Sequence, residues 1–159
     1  MANVIFCDKF LKNQNDGTYS IDFDTDKIKV MLITTNFSAT SLGSISSVTE
    51  LAAGDGYTAG GEALTASASL DTTNHRYDVD FGDKQWTFTA AKTFRYAGFY
   101  HSGEAAATSP LIAKADLGSQ SVTGVFNLNL ADTFYLGLGQ VNKWQISLLI
   151  ILILTTTEI

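Results

Sequence analysis

His75-Arg-Tyr-Asp-Val-Asp-Phe-Gly-Asp-Lys-Gln-Trp-Thr-Phe-Thr-Ala90 sets the class of fold. Asp78 and Asp80 alternate with Val79 and Phe81, a period of two that places the carboxylates on one strand face and the apolar side chains on the other. Gly82-Asp83 then supplies turn chemistry, and a second strand is expected over Gln85 to Ala90.

The same grammar extends in both directions. Upstream, a strand over Ala63 to Leu70 ends at the turn residues Asp71-Thr-Thr-Asn74. Downstream, Phe94, Tyr96 and Tyr100 are in phase on a strand over Phe94 to His101. The single proline, Pro110, leads into a strand over Leu111 to Leu117, and Phe126, Leu128 and Leu130 alternate with Asn127 and Asn129 within Val122 to Leu130. Further strands are expected at Phe134 to Leu138 and Lys143 to Leu154. Near the N-terminus, Tyr19, Ile21 and Phe23 alternate with Ser20, Asp22 and Asp24, and a strand over Lys27 to Thr35 follows the turn at Asp24-Thr-Asp26. Phe6, Phe10 and Leu11, spaced i, i+4 and i+5 and followed by Asn15-Asp-Gly17, predict a short helix in the first dozen residues. A loop is expected around Ser38 to Ser47 and one helical turn near Val48 to Ala52. About nine short strands result. The expectation is an all-β fold, a β-sandwich or barrel with a short N-terminal helix, in one domain over residues 1–159.

Charged residues make up 16% of the chain against an ordinary value of about 25%. Such a surface is covered by Thr, Ser, Asn and Gln, or by another protein. A net charge of −6, with ten scattered Lys and Arg, argues against nucleic acid and anionic lipid as partners. Cys7 is the only cysteine, so no intrachain disulfide and no multi-thiolate metal site is expected. Met1 to Asp8 lacks the basic and apolar regions of a secretion signal, which predicts folding in a reducing cytoplasm. The most apolar run, Ile146 to Leu154, has less than half the roughly 20 residues a membrane helix needs. No membrane insertion is expected, and its β-branched content predicts a strand that must be covered on both faces.

Residues that could carry chemistry have simpler readings. Asp22, Asp24 and Asp26 have the opening spacing of a calcium loop, but Lys27 and Ile33 stand where its glycine and closing glutamate belong. A weaker ion site that these aspartates share with distant residues is the remaining alternative. Asp78, Asp80 and Asp83 near His75 read as the polar face and turn of a half-buried strand. His75 and His101 have no spacing that demands a metal, and Cys7 has no context for nucleophilic chemistry. Gly54 to Gly61 lacks the Gly-Lys-Ser/Thr ending of a phosphate loop and contains no basic residue. No cofactor, metal or catalytic residue is expected. The loop residues Gly56, Tyr57, Gly60 and Gly61 are candidate contact positions instead, as are Leu148, Leu149, Ile150, Ile151, Leu152, Ile153 and Leu154 of the apolar run.

Several segments resemble small virion structural proteins of tailed bacteriophages. They are Asp8-Lys-Phe-Leu11, Ile21-Asp-Phe-Asp-Thr-Asp-Lys-Ile-Lys-Val-Met-Leu32, Gly56-Tyr-Thr-Ala-Gly-Gly-Glu-Ala-Leu64, Phe94-Arg-Tyr-Ala-Gly-Phe-Tyr100 and Pro110-Leu-Ile-Ala-Lys-Ala-Asp-Leu-Gly118. The similarity covers most of Asp8 to Gly137. Leu138 to Ile159 continue past the point where that pattern ends, as an apolar extension suited to strand exchange with a neighbour. The resemblance implies a virion protein assembled in the host cytoplasm. The head decoration or cement role comes first, with the major capsid protein or other virion proteins as partners and a homo-oligomer, such as a trimer, as the state. A tail, neck or fibre-attachment component is the alternative. A host-glycan-binding module, with Trp86, Tyr96 and Tyr100 as a stacking platform, is a third; an enzyme is expected least.

Overall fold

The computed structural model describes residues 3–17, 21–23, 27–39, 45–103, 109–130 and 134–136. The fold is all-β and antiparallel with one short α-helix, as the alternation predicts. In chain order the elements are β1 (Asn3–Phe6), α1 (Asp8–Asp16), β2 (Ile28–Ile33), β3 (Glu62–Ala63), β4 (Ala66–Asp71), β5 (Arg76–Phe81), β6 (Lys84–His101), β7 (Leu111–Leu128) and β8 (Phe134–Leu136). A five-stranded sheet runs β1-β7-β6-β2-β3, and a three-stranded sheet runs β4-β5-β8.

Among the described residues, two pairs of the expected short strands are corrected, and the strand expected over Lys143 to Leu154 lies outside the described residues. The expected pairs 85–90 with 94–101, and 111–117 with 122–130, fuse into two strands of 18 residues each. The breaks seen in the sequence are bulges. Between Phe88↔Gly124 and Lys92↔Val122 the extra residues lie on β6, and between Phe94↔Gln120 and Tyr96↔Asp116 they lie on β7 around Gly118, whose φ is +70°. A bulge leaves extra residues unpaired and bends the strand without ending it, so alternation is lost while pairing resumes. Gly82-Asp83 also differs from a simple turn between neighbours, because β5 and β6 belong to different sheets. Gly82 N donates to Thr65 O at 2.8 Å, and Asp83 Oδ1 accepts from Leu130 N at 2.8 Å, so this link ties the two sheets together.

The helix expected near the N-terminus is present but begins at Asp8 and runs to Asp16, leaving Phe6 outside it. Phe6 lies on β1, which pairs with β7 from Asn3↔Asp116 to Phe6↔Ala113. Asp8 sits in the first helical turn, favourable to the helix dipole, and Gly17 closes the helix in the left-handed conformation that a Cβ would oppose. Leu11 faces solvent rather than joining Phe10 in the core. Ile21 and Phe23 are buried and Asp22 is exposed, as alternation predicts, yet these residues form no strand.

Packing explains why the central strands read as continuous apolar runs. One face of the large sheet meets the small sheet and α1 through a chain of rings. Phe6–Phe10, Phe10–Phe23, Phe23–Phe81 and Phe81–Phe99 have centroids 5.8, 6.1, 5.9 and 5.4 Å apart. Such pairs contribute about 0.5–1.5 kcal/mol each beyond area burial. On the opposite face Tyr96 packs edge-on against Phe37, and the Lys114 ammonium lies 4.8 and 4.5 Å from the two ring centres. With both faces covered, β2 is almost wholly buried from Ile28 to Ile33.

Candidate functional site

Among the described residues, no three His, Cys, Asp or Glu side chains gather in a metal-holding cluster. Asp22 is exposed, while Asp24 and Asp26 lie outside the described residues. Asp78 sits beside Arg76, with Nε and Oδ1 2.8 Å apart, and Asp83 caps the backbone at Leu130. His75 occupies the exposed turn between β4 and β5, whereas His101 ends β6. Cys7 is fully buried, and burial, followed by the charge of Asp8, pushes its thiol up to about 11. A thiol held protonated in this way is a poor nucleophile. No helix among the described residues is long and apolar enough to cross a membrane.

The loop that carries Gly56, Tyr57, Gly60 and Gly61 is clamped onto its own subunit. Gly61 has φ +60°, and a Cβ there would stand 2.1 Å from Val30 O; at Gly56, with φ +92°, a Cβ would stand 1.9 Å from Thr87 O. Only glycine permits both the conformation and the approach. Tyr57 is buried, its hydroxyl accepting from Leu32 N at 3.0 Å and donating to Glu50 Oε1 at 2.7 Å. Gly60 N donates to the same carboxylate oxygen at 2.7 Å, and the Tyr100 hydroxyl donates to Gly60 O at 2.6 Å. The exposed positions of Gly54 to Gly61 are Gly54, Asp55, Gly56, Thr58 and Ala59. Tyr57 and Gly61 are buried and hold these exposed positions in place.

The apolar-run candidates Leu148 to Leu154 lie outside the described residues. The stacking platform is not formed. Trp86, Tyr96 and Tyr100 are 3%, 2% and 4% exposed, so none turns a ring face to solvent. Their alternation marked an inward face, which periodicity alone does not distinguish from an outward one.

A surface missed by the sequence reading lies on the long hairpin. Its half nearest the connecting loop, 96–101 with 111–116, is flanked by β2 and β1. Its other half, 84–94 with 118–128, is a two-stranded ribbon. The β6 margin of that ribbon is covered by the 52–57 loop: Thr89 N donates to Asp55 O at 3.1 Å, and Lys92 Nζ reaches Ala52 O at 3.1 Å and Asp55 Oδ2 at 3.2 Å. Along the β7 margin, no described strand pairs beyond Asp116.

Burial across the ribbon follows this asymmetry. Trp86, Phe88 and Phe94 are buried on β6, while Val122 and Phe126 on the same face of β7 are half-buried. Phe126 lies 6.0 Å from Trp86 and 4.9 Å from Phe94, and the indole Nε1 of Trp86 is buried without a hydrogen-bond partner. On the outer face Val125 is 56% exposed. A groove of about 310 Å³ follows this margin, lined by Asp116, Leu117, Gln120, Phe126, Asn127, Leu128 and Asn129. From Leu117 to Leu130 there is neither a charged residue nor a proline. Sheet edges are ordinarily guarded by Lys, Pro or very short length, and this one has none of these protections. The missing charge was visible in the sequence; that this stretch is an edge among the described strands was not. No protein-family model, curated protein or solved structure matches the chain.

Proposed function

We propose that this chain is a structural protein of a tailed-phage particle, acting as a capsid decoration or cement protein that stabilises the head through contacts between subunits. The observation that carries the assembly role is the unguarded β7 margin, a long strand edge with uncharged flanks and half-buried apolar side chains beside it. The virion class is supported by the segment resemblance over Asp8 to Gly137, and low charge fits a surface covered by other proteins. The partners are the major capsid protein or another virion protein and further copies of this chain. Binding the assembled shell in preference to free subunits stabilises the shell by mass action, about 2.7 kcal/mol per site when the free protein is at one hundred times its dissociation constant. An intermediate-resolution reconstruction of the particle, with the copies located and counted, tests the proposal. Hundreds of copies over the head are expected. A single ring at the neck or tail would replace the head role with the tail or neck one, and absence from the particle would end the virion reading.

A further inference from the structure

We infer that the β7 margin of the ribbon is the docking edge for the apolar C-terminal run, 146–154, of a second copy of this chain. The inference deepens the assembly reading and rests on it. The edge and the run match in several independent respects. The open stretch 117–128 is longer than the nine-residue run, whereas the other outer strands of the two sheets have four, two, six and three residues. Neither partner carries a charge, so pairing desolvates no ion. The inner face of the ribbon is covered over β6 and only half covered over β7, and one further strand would shield Phe126 and Val122.

The pattern of the run favours a second copy over the same chain. In an extended strand, even- and odd-numbered positions face opposite sides, and in 148–154 both sets are Leu or Ile. One set would cover the inner face beside Phe126. The other would emerge beside Val125, on a face whose described neighbours are Thr87, Thr123 and Asn127. The described residues of a single subunit thus offer apolar cover to one side only, and a second copy would supply further protein for the other. Strand addition of this kind draws its affinity from backbone hydrogen bonds and its register from alternate side chains.

Disulfide trapping with two differently tagged full-length chains tests this. One chain carries Val125→Cys; the other carries, in turn, Leu148→Cys, Leu149→Cys, Ile150→Cys, Ile151→Cys or Leu152→Cys. Cys7 is fully buried and stays in place. Directly opposed side chains on paired strands have Cβ atoms about 4.5–5.5 Å apart, so mixed-tag dimers are expected at alternate positions only. Linkage at every position alike, linkage only within a doubly substituted chain at high dilution, or no linkage in chains that keep their β circular dichroism would each overturn the inference. Val125→Lys provides a second reading without altering the run. It is expected to reduce the sedimenting species to a single chain, and an unchanged oligomer would count against the docking edge. Alternate linkage in a protein absent from particles would remove the virion reading alone. Hundreds of copies on the head without such linkage would remove this inference alone.

Discussion

The two halves of the β6–β7 hairpin share the same strands and pairing, but differ in what lies beside them. Between β1 and β2, Tyr96 to Tyr100 are buried without interruption, as are Leu111, Ile112, Ala113 and Ala115. In the ribbon half, buried Trp86 and Phe88 alternate with exposed Gln85, Thr87 and Thr89, and β7 alternates half-buried with exposed positions. Flanking strands and covered faces produce the first pattern, and the second belongs to the margin along which no described strand pairs. The hairpin therefore joins a structural core to a ribbon whose β7 margin no other described strand pairs with.

Core truncation gives the largest expected contrast. Phe99 is fully buried and stacked on Phe81, so Phe99→Ala is expected to cost about 3–5 kcal/mol in denaturant unfolding. Phe126→Ala, at the half-covered margin, is expected to cost about 1–2 kcal/mol. Equal costs would mean that the ribbon is as well packed as the body and would weaken the contrast between them. Gly61→Ala comes next, at about 3 kcal/mol, because its Cβ would meet the Val30 carbonyl at 2.1 Å. Gly60→Ala has φ +84° to overcome but only the Tyr100 hydroxyl, 3.8 Å away, to meet, and about 1 kcal/mol is expected. Thermal melts of the two variants separate the clamped glycine from its neighbour.

Alkaline unfolding sharpens the same comparison from the body side. Cys7 N donates to Ile112 O at 2.8 Å, placing the thiol against the flanked half of β7. Raising its pKa from 9.0 to about 11 makes the folded state hold a proton that the unfolded chain releases. Stability from this group is complete below pH 9 and is lost as pH rises to about 11, by about 2.7 kcal/mol. Tyr57 acts in the same direction above pH 10, mainly because burial raises its pKa. Cys7→Ala should flatten the limb between pH 9 and 11 in a stability–pH profile; an unchanged limb would assign the loss to other groups.

Legibility followed the same boundary. Asp78, Val79, Asp80 and Phe81 revealed a half-buried strand because one face of β5 meets the core. Met31 and Ile33 revealed a doubly covered β2 for the converse reason. The bulge near Gly118 defeated the count of strands, because losing alternation across a few residues resembles a turn when the partner strand is unknown. The loop glycines stood out by composition, but their use as points of close approach to Val30 and Thr87 depends on long-range geometry. The uncharged stretch after Asp116 was equally open to reading, and only the sheet order makes it an edge among the described strands.

The smallest effect is expected at the junction between the halves. Arg95 grips Asp116 through two bonds, Nε to Oδ1 at 3.0 Å and a terminal guanidinium nitrogen to Oδ2 at 2.9 Å. Gly118 N also donates to Asp116 Oδ1, at 2.9 Å, so one carboxylate braces the bulge where β1 stops pairing. These contacts, the Arg95 bond first, hold the Asp116 carboxyl below its ordinary pKa. Its contribution is therefore present above that ordinary value and lost as pH falls through the acid range. Both side chains are about half exposed, and exposed pairs contribute little to global stability. Asp116→Asn should leave the melting curve nearly unchanged. Ribbon amides at 120–128 should exchange roughly two- to fivefold faster, after correction for intrinsic rates, while those at 111–115 hold. Equal acceleration in both halves would show that the carboxylate braces the whole hairpin, and the bulge would no longer mark a boundary between them.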